Sequence, residues 1–189
     1  MDKEFNLPAF YSGLLLAVIA FLLKELGVSS IAKQRLSWIL LSKIFLFLAI
    51  DEIFQIHELF VIANLRQYVH PSLSSIWIIP YGALSALFLF KFGPFFLRLG
   101  RATSRLSFIS GIIYISGAIG IEALNSWLVR TGQISLSGFW YEAISGVEEL
   151  LEMFGLIIFL YALLRELLSY HQSLNFRFLI LENQEIDSP

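Results

Sequence analysis

Apolar residues run along this chain in five long blocks joined by short polar links. A helix that crosses about 30 Å of hydrocarbon takes about 20 residues, and blocks of that length are placed near 8–26, 36–64, 75–97, 107–129 and 139–168. The second and fifth exceed what a bilayer needs, so they are expected to tilt or protrude. Links such as Gly27-Val-Ser-Ser and Gly100-Arg-Ala-Thr-Ser-Arg are too short to separate domains. The pattern predicts an all-α, polytopic membrane bundle of about five transmembrane helices over residues 1–168. A polar C-terminal tail, 169–189, is expected to follow it.

Composition strengthens that reading. Hydrophobic residues make up 57% and charged residues 15% of 189 positions, with mean hydropathy +0.74, well above an ordinary soluble domain. The expected place is the cell membrane, spanned several times, with the lipid bilayer as the first partner. The absence of cysteine excludes disulfides, iron–sulfur clusters, covalent c-type haem and a thiol nucleophile. Three histidines are too few for an iron site built mainly of imidazoles. The net charge of −2 gives no sign of nucleic-acid binding. Met-Asp-Lys-Glu at the start lacks a basic n-region, so the first apolar block is expected to be retained.

Basic residues set the expected orientation. Lys24, Lys33 and Arg35, then Lys91, Arg98, Arg101 and Arg105, and finally Arg165 and Arg177 share one side; Lys3, Arg66 and Arg130 lie on the other. The positive-inside rule puts the N-terminus outside and the C-terminus in the cytoplasm. Trp77, Trp127, Trp140 and Tyr141 then fall at outer helix ends, as an interfacial aromatic belt would place them.

The acidic residues change the picture from a plain bundle to one with a site. Asp51-Glu-Ile-Phe-Gln-Ile-His57-Glu58 sits inside the second block, Glu122 and Asn125 near the outer end of the fourth, and Glu142, Glu148, Glu149 and Glu152 in the first half of the fifth. Each acid at the centre of a spanning helix costs roughly 2.5–3.5 kcal/mol on insertion scales, so it normally faces a partner, a metal or water. In the expected orientation these acids share one depth, which a common polar cavity explains better than scattered placement. Helical spacing puts Asp51, Gln55 and Glu58 on one face, Glu148 and Glu152 on another, and Glu122, Asn125 and Ser126 on a third. Gly111, Gly117 and Gly120 are expected to let that third helix approach its neighbours. His57 lies about 100° around from Glu58, so it meets another helix or the span is distorted there. Glu142, beside Trp140 and Tyr141, reads as interfacial; His70 and His171 read as loop and tail residues. Pro80 and Tyr81 serve packing or a water-admitting kink, and Tyr114 serves packing.

Crowded carboxylates in a low-dielectric pocket need counter-charge or bound protons. Lys43, two turns below Asp51, is the one basic residue well inside a span and can snorkel away. That leaves a metal, bound protons or water as the compensation; of these a divalent metal is the expectation carried forward, with Asp51, Glu52, His57, Glu58, Glu122, Glu148, Glu149 and Glu152 as candidate ligands, since oxygen donors with one imidazole suit Mn, Fe, Zn or Mg. Two facing acidic helices are how di-metal carboxylate bundles are built, but their Glu-x-x-His repeat is absent.

Leu48-Ala-Ile-Asp-Glu-Ile-Phe-Gln-Ile-His-Glu, Ile79-Pro-Tyr-Gly, Gly117-Ala-Ile-Gly-Ile-Glu and Val147-Glu-Glu-Leu-Leu-Glu-Met-Phe-Gly together resemble a family of small, uncharacterised bacterial integral membrane proteins. Its signatures are Asp-Glu-x4-His-Glu and Glu-Glu-x-x-Glu-Met-x-Gly. The resemblance implies a shared architecture and polar site from the second block to the fifth, and brings no reaction with it.

Two functions stand ahead. The first is a metal-dependent enzyme acting on an apolar or lipid-like small molecule, with a carboxylate as general acid or base. The second is a transport protein that passes protons or cations along the same carboxylates, against which stand the missing inverted repeat and the clustering of acids at one depth. A structural or assembly subunit of a membrane complex is a third reading.

Overall fold

A computed structural model describes residues 7–30, 32–57 and 68–186, with side chains as far as residue 170. The described residues form five long helices, with no strand among them. They are α1 (Leu7–Ser29), α2 (Ala32–Phe54), α3 (Ile78–Phe96), α4 (Arg101–Arg130) and α5 (Phe139–Ile186). Helices α1, α3 and α4 are each long and apolar enough to cross a membrane. Large apolar side chains such as Phe21, Leu46, Phe90, Ile112 and Phe154 are exposed on all five. That surface suits lipid and would be a liability in water, so this is a membrane protein.

Helix α1 packs between α2 and α5, and α5 also packs along α4. Helix α3 stands further from the others and is pinned mainly at its two ends. One pin is aromatic: Phe95 meets the edge of Trp38 at 4.7 Å, and Phe88 and Phe96 meet Phe45 and Phe159. Phe45 in turn stacks on Phe159 at 5.2 Å. With Leu16, Leu23, Leu26, Leu41, Leu156 and Leu163 these rings fill the half of the bundle next to the α1–α2 turn. Tyr170 closes that end by donating its hydroxyl to Gln34 Oε1 at 2.6 Å. In lipid such packing holds helices by dispersion and close fit, since the hydrophobic effect has no water to act against. Beside this cluster a cavity opens, lined by some of the same rings, and it extends toward the opposite end of the bundle.

Two expectations need correcting. The second span does not run unbroken to residue 64: α2 ends at Phe54, where Gln55 turns to φ +51°, and Glu58 lies outside the described residues. The fifth helix does not stop near 168 but continues to Ile186, because no glycine or proline after Gly155 interrupts it.

Close approach along α4 and α5 rests on two glycines. A Cβ at Gly117 would stand 2.9 Å from the carbonyl oxygen of Glu148, and one at Gly155 would stand 2.9 Å from the backbone nitrogen of Tyr114. Gly111 and Gly120, expected to serve the same purpose, face open space. Gly117 belongs to a π-helical stretch, Ser116–Ile121, inside α4. Its wider turn stacks residues five apart, so Gly117 can face α5 while Glu122 stays on the same side. We therefore expect Gly117→Ala and Gly155→Ala to lose about 1–3 kcal/mol of stability each through overpacking. Gly111→Ala should be neutral or stabilising, and melting curves of the three variants in detergent check the contrast.

Candidate functional site

The cavity measures about 990 Å³, at the upper end of what ligand sites usually offer. Its walls change character along their length. On α2 the lining passes from Leu40, Ile44 and Leu48 to Asp51, Glu52 and Gln55. On α5 it passes from Phe159, Leu156 and Gly155 to Glu152, Glu149, Glu148, Ser145 and Tyr141, one face at three- and four-residue spacing. Helix α4 contributes Glu122 at the level of the acids and Tyr114 about two turns before it, against Gly155, while α3 contributes Phe92 and Phe88 at one end and Tyr81 and Trp77 at the other. The acids gather toward one end, and the other end is mostly leucine and phenylalanine, with Lys43, Lys91, Ser107 and Ser110 among them.

Asp51 organises that polar end. Its side chain is buried, 4% exposed, and accepts three hydrogen bonds. The backbone N–H of His57 donates to Oδ1 at 2.8 Å, the Tyr81 hydroxyl donates to Oδ2 at 2.8 Å, and His57 Nδ1 lies 3.3 Å from Oδ2. A carboxylate only accepts, so Nδ1 carries the ring proton toward it and Nε2 is the nitrogen left to take or give one. The left-handed Gln55 makes this possible. It folds the chain back after the last turn of α2, so that His57 returns over Asp51 instead of continuing outward. The ring then rests 5.0 Å from Trp77 and 6.0 Å from Tyr81. His57 thus meets another helix and sits on a local distortion at once.

Glu122 is held from the far side. Ser75 Oγ donates to Glu122 Oε1 and lies 2.9 Å from Ser126 Oγ, tying the segment before α3 to α4. Arg130 Nη1 donates to Ser74 Oγ at 3.3 Å in the same segment. Asn125, grouped with Glu122 and Ser126 from the sequence, is fully buried and donates through Nδ2 to Ser145 Oγ at 3.0 Å. His70 is exposed and caps the short 3-10 turn Pro71–Leu73, accepting from Ser72 N–H; it belongs to the loop, not the site.

Of the expected ligands, Asp51, Glu52, His57, Glu122, Glu148, Glu149 and Glu152 all line this one cavity. Glu58 lies outside the described residues. Glu142 is exposed and is not part of the lining. Among the described residues, no three His, Asp or Glu side chains form a group that could hold a metal ion. Sequence reasoning missed Ser75 and Ser145 and left Tyr81 undecided. Tyr114, read as packing only, also faces the cavity. The sequence signals for Tyr81 are its phenol in an apolar span at the depth of the acids and its place in the segment Ile79-Pro-Tyr-Gly.

Residues 1–167 match the model of a family described as a domain of unknown function (DUF8692), and the chain belongs to that family. No curated protein and no solved structure matches it.

The Asp51 knot can be tested through its parts. Gln55→Gly should keep or raise the melting temperature, because glycine adopts the left-handed turn without the Cβ penalty, whereas Gln55→Val should lower stability by about 1–2 kcal/mol. Tyr81→Phe removes one donor and should cost about 1 kcal/mol. Asp51→Leu strands the His57 N–H and the Tyr81 hydroxyl together and should cost more than either.

Proposed function

We propose that this protein takes an amphiphile from the bilayer into the cavity and acts on it by acid–base chemistry. The observation that carries this is the change along the cavity walls: the acids and His57 gather at one end, and leucine and phenylalanine predominate at the other, where Lys43, Lys91, Ser107 and Ser110 also stand. An apolar chain lies naturally along the second part, and a polar head at the first. His57, oriented by Asp51, serves as general base, and a glutamate of α5 serves as general acid, within reach of one bound head. With Lys33, Arg35, Arg101 and Arg105 on the cytoplasmic side, the polar end lies toward the outer face.

Gly111 offers a clean test. It lines the cavity, and a Cβ there meets nothing within 4 Å, so the side chain of Gly111→Leu starts into open space. Lipid extraction and mass spectrometry of the purified protein should find a retained amphiphile in the wild type. The Gly111→Leu variant should hold at least fivefold less while melting within a few degrees of the wild type. Equal lipid content in the two would sink the proposal.

A second reading has its own observation. Glu166, 9% exposed, accepts from Thr103 Oγ1 at 2.7 Å at the packed end of the bundle. Thr103 is followed along α4 by buried Ser107 and Ser110, both of which line the cavity. Buried hydroxyls thus continue from the acidic end toward the opposite face, as a proton path would require. In proteoliposomes carrying an internal pH dye, that reading expects proton uptake under an imposed potential, cut at least tenfold by Glu166→Gln. Uptake no faster than in protein-free vesicles removes it.

A further inference from the structure

The acid–base reading has no use for Lys43 and Lys91, two charged residues in the lining of the mostly apolar end of the cavity. We infer that they hold the phosphate of an anionic phospholipid whose acyl chains lie along an open slot between α2 and α3. The inference goes beyond the amphiphile reading, since this lipid stands at the mouth of the cavity and is not the molecule acted upon.

The slot is seen in residues that face two ways. Phe47 on α2 and Leu84 and Leu87 on α3 are 52%, 56% and 58% exposed, and all three line the cavity. A side chain that faces both the outside and a cavity stands at its mouth. This mouth is bounded at one end by Trp38 against Phe95 and at the other by the Tyr81 hydroxyl on Asp51. Between those pins the two backbones stand apart. The rings of Phe45 and Phe88 meet behind the gap, 6.5 Å between centres, with Phe45 stacked on Phe159 of α5.

Helical register puts the two lysines at one level. Lys43 follows Trp38, and Lys91 precedes Phe95, by little more than one turn, so both stand just inside the same aromatic pin. The helices run in opposite directions, yet from that level each presents the same order toward the acids. On α2, Lys43 is succeeded on its own face by Phe47; on α3, Lys91 is preceded on its face by Leu87 and Leu84. Both lysines are exposed as well as lining. A charged group and then apolar surface, matched on the two sides of one slot, is the order of a phospholipid from head to chains.

Charge selects the head. In the orientation proposed above the lysines stand in the cytoplasmic half, where basic groups between helices collect anionic headgroups. Two ammoniums flanking one slot can take one phosphate between them. Lys91 Nζ stands 5.7 Å from the centre of the Phe92 ring, a contact that keeps it at the slot and leaves its hydrogens for an acceptor. A choline head brings its own cation to the phosphate and gains less from the lysines.

A lipid at an open slot exchanges with the surrounding bilayer, so the test is made in vesicles. The full chain is reconstituted in phosphatidylcholine with a trace of phosphatidylglycerol or of phosphatidylcholine, each carrying the same diazirine in its acyl chain. Sites labelled on illumination are mapped by peptide mass spectrometry. Phosphatidylglycerol should label Phe47, Leu84 or Leu87 at least fivefold more than phosphatidylcholine does. In a Lys43→Gln, Lys91→Gln double variant that excess should vanish. A Lys24→Gln, Arg105→Gln double variant, which removes two exposed charges from α1 and α4 outside the lining, should keep it. If the first double variant does not fold, Lys43→Gln and Lys91→Gln singly should each lower the excess at least twofold. Equal labelling of the slot by the two lipids overturns the inference, and so does an equal loss in the two double variants. Neither result touches the amphiphile reading, which stands or falls on the lipid retained by purified wild type and Gly111→Leu.

Discussion

A carboxylate withdrawn from water must be given hydrogen bonds or charge in return, and the polar half of this bundle is arranged around how Asp51 meets that demand. It draws in a backbone N–H, an imidazole and a phenol, and in doing so fixes three things at once: the end of α2, the return of His57 and the position of α3. The left-handed Gln55 is the local strain that this knot sustains. Were α2 to continue as a regular helix, His57 would leave the carboxylate and α3 would lose its hold at the polar end.

The rest of the molecule divides the labour. Aromatic and leucine side chains close one half of the bundle, and this rigid half aligns α2, α4 and α5 so that their acids face one hollow. Gly117 and Gly155 bring α4 and α5 together, and the π-helical stretch keeps Glu122 turned inward after that contact. Helix α3, clamped at its ends by Trp38 and Asp51, spans the hollow between as a wall with few contacts. A cavity with one thin wall against lipid is suited to receiving a molecule that already lives in the bilayer.

Much of this was legible in the sequence, and the exceptions have physical reasons. Runs of about 20 apolar residues mark spanning helices because lipid demands them, and acids inside such runs mark a site because lipid penalises them. The end of α2 was hidden because apolar residues continue past it at Ile56, Leu59 and Phe60. What ends the helix is a side chain reaching six residues forward, which no periodicity records. Tyr81 and Ser75 were hidden for a related reason: each is one polar atom in an apolar setting, with a partner 30 and 47 residues away. The glycines divide likewise, since spacing alone could not tell Gly117, pressed against α5, from Gly111, which faces the hollow.

The central claim is that the cavity is a receptacle open to the bilayer and not a void that closes in the membrane. An experimental structure of the protein extracted with its own lipids, by electron cryomicroscopy or crystallography, bears on this most directly. The account predicts elongated density with its compact end among Glu148, Glu149 and Glu152 and its thin end between Phe88 and Phe159, with α3 standing off from α2 and α5. A structure in which α3 has collapsed onto those helices, with the glutamates turned outward and no density between, would contradict it.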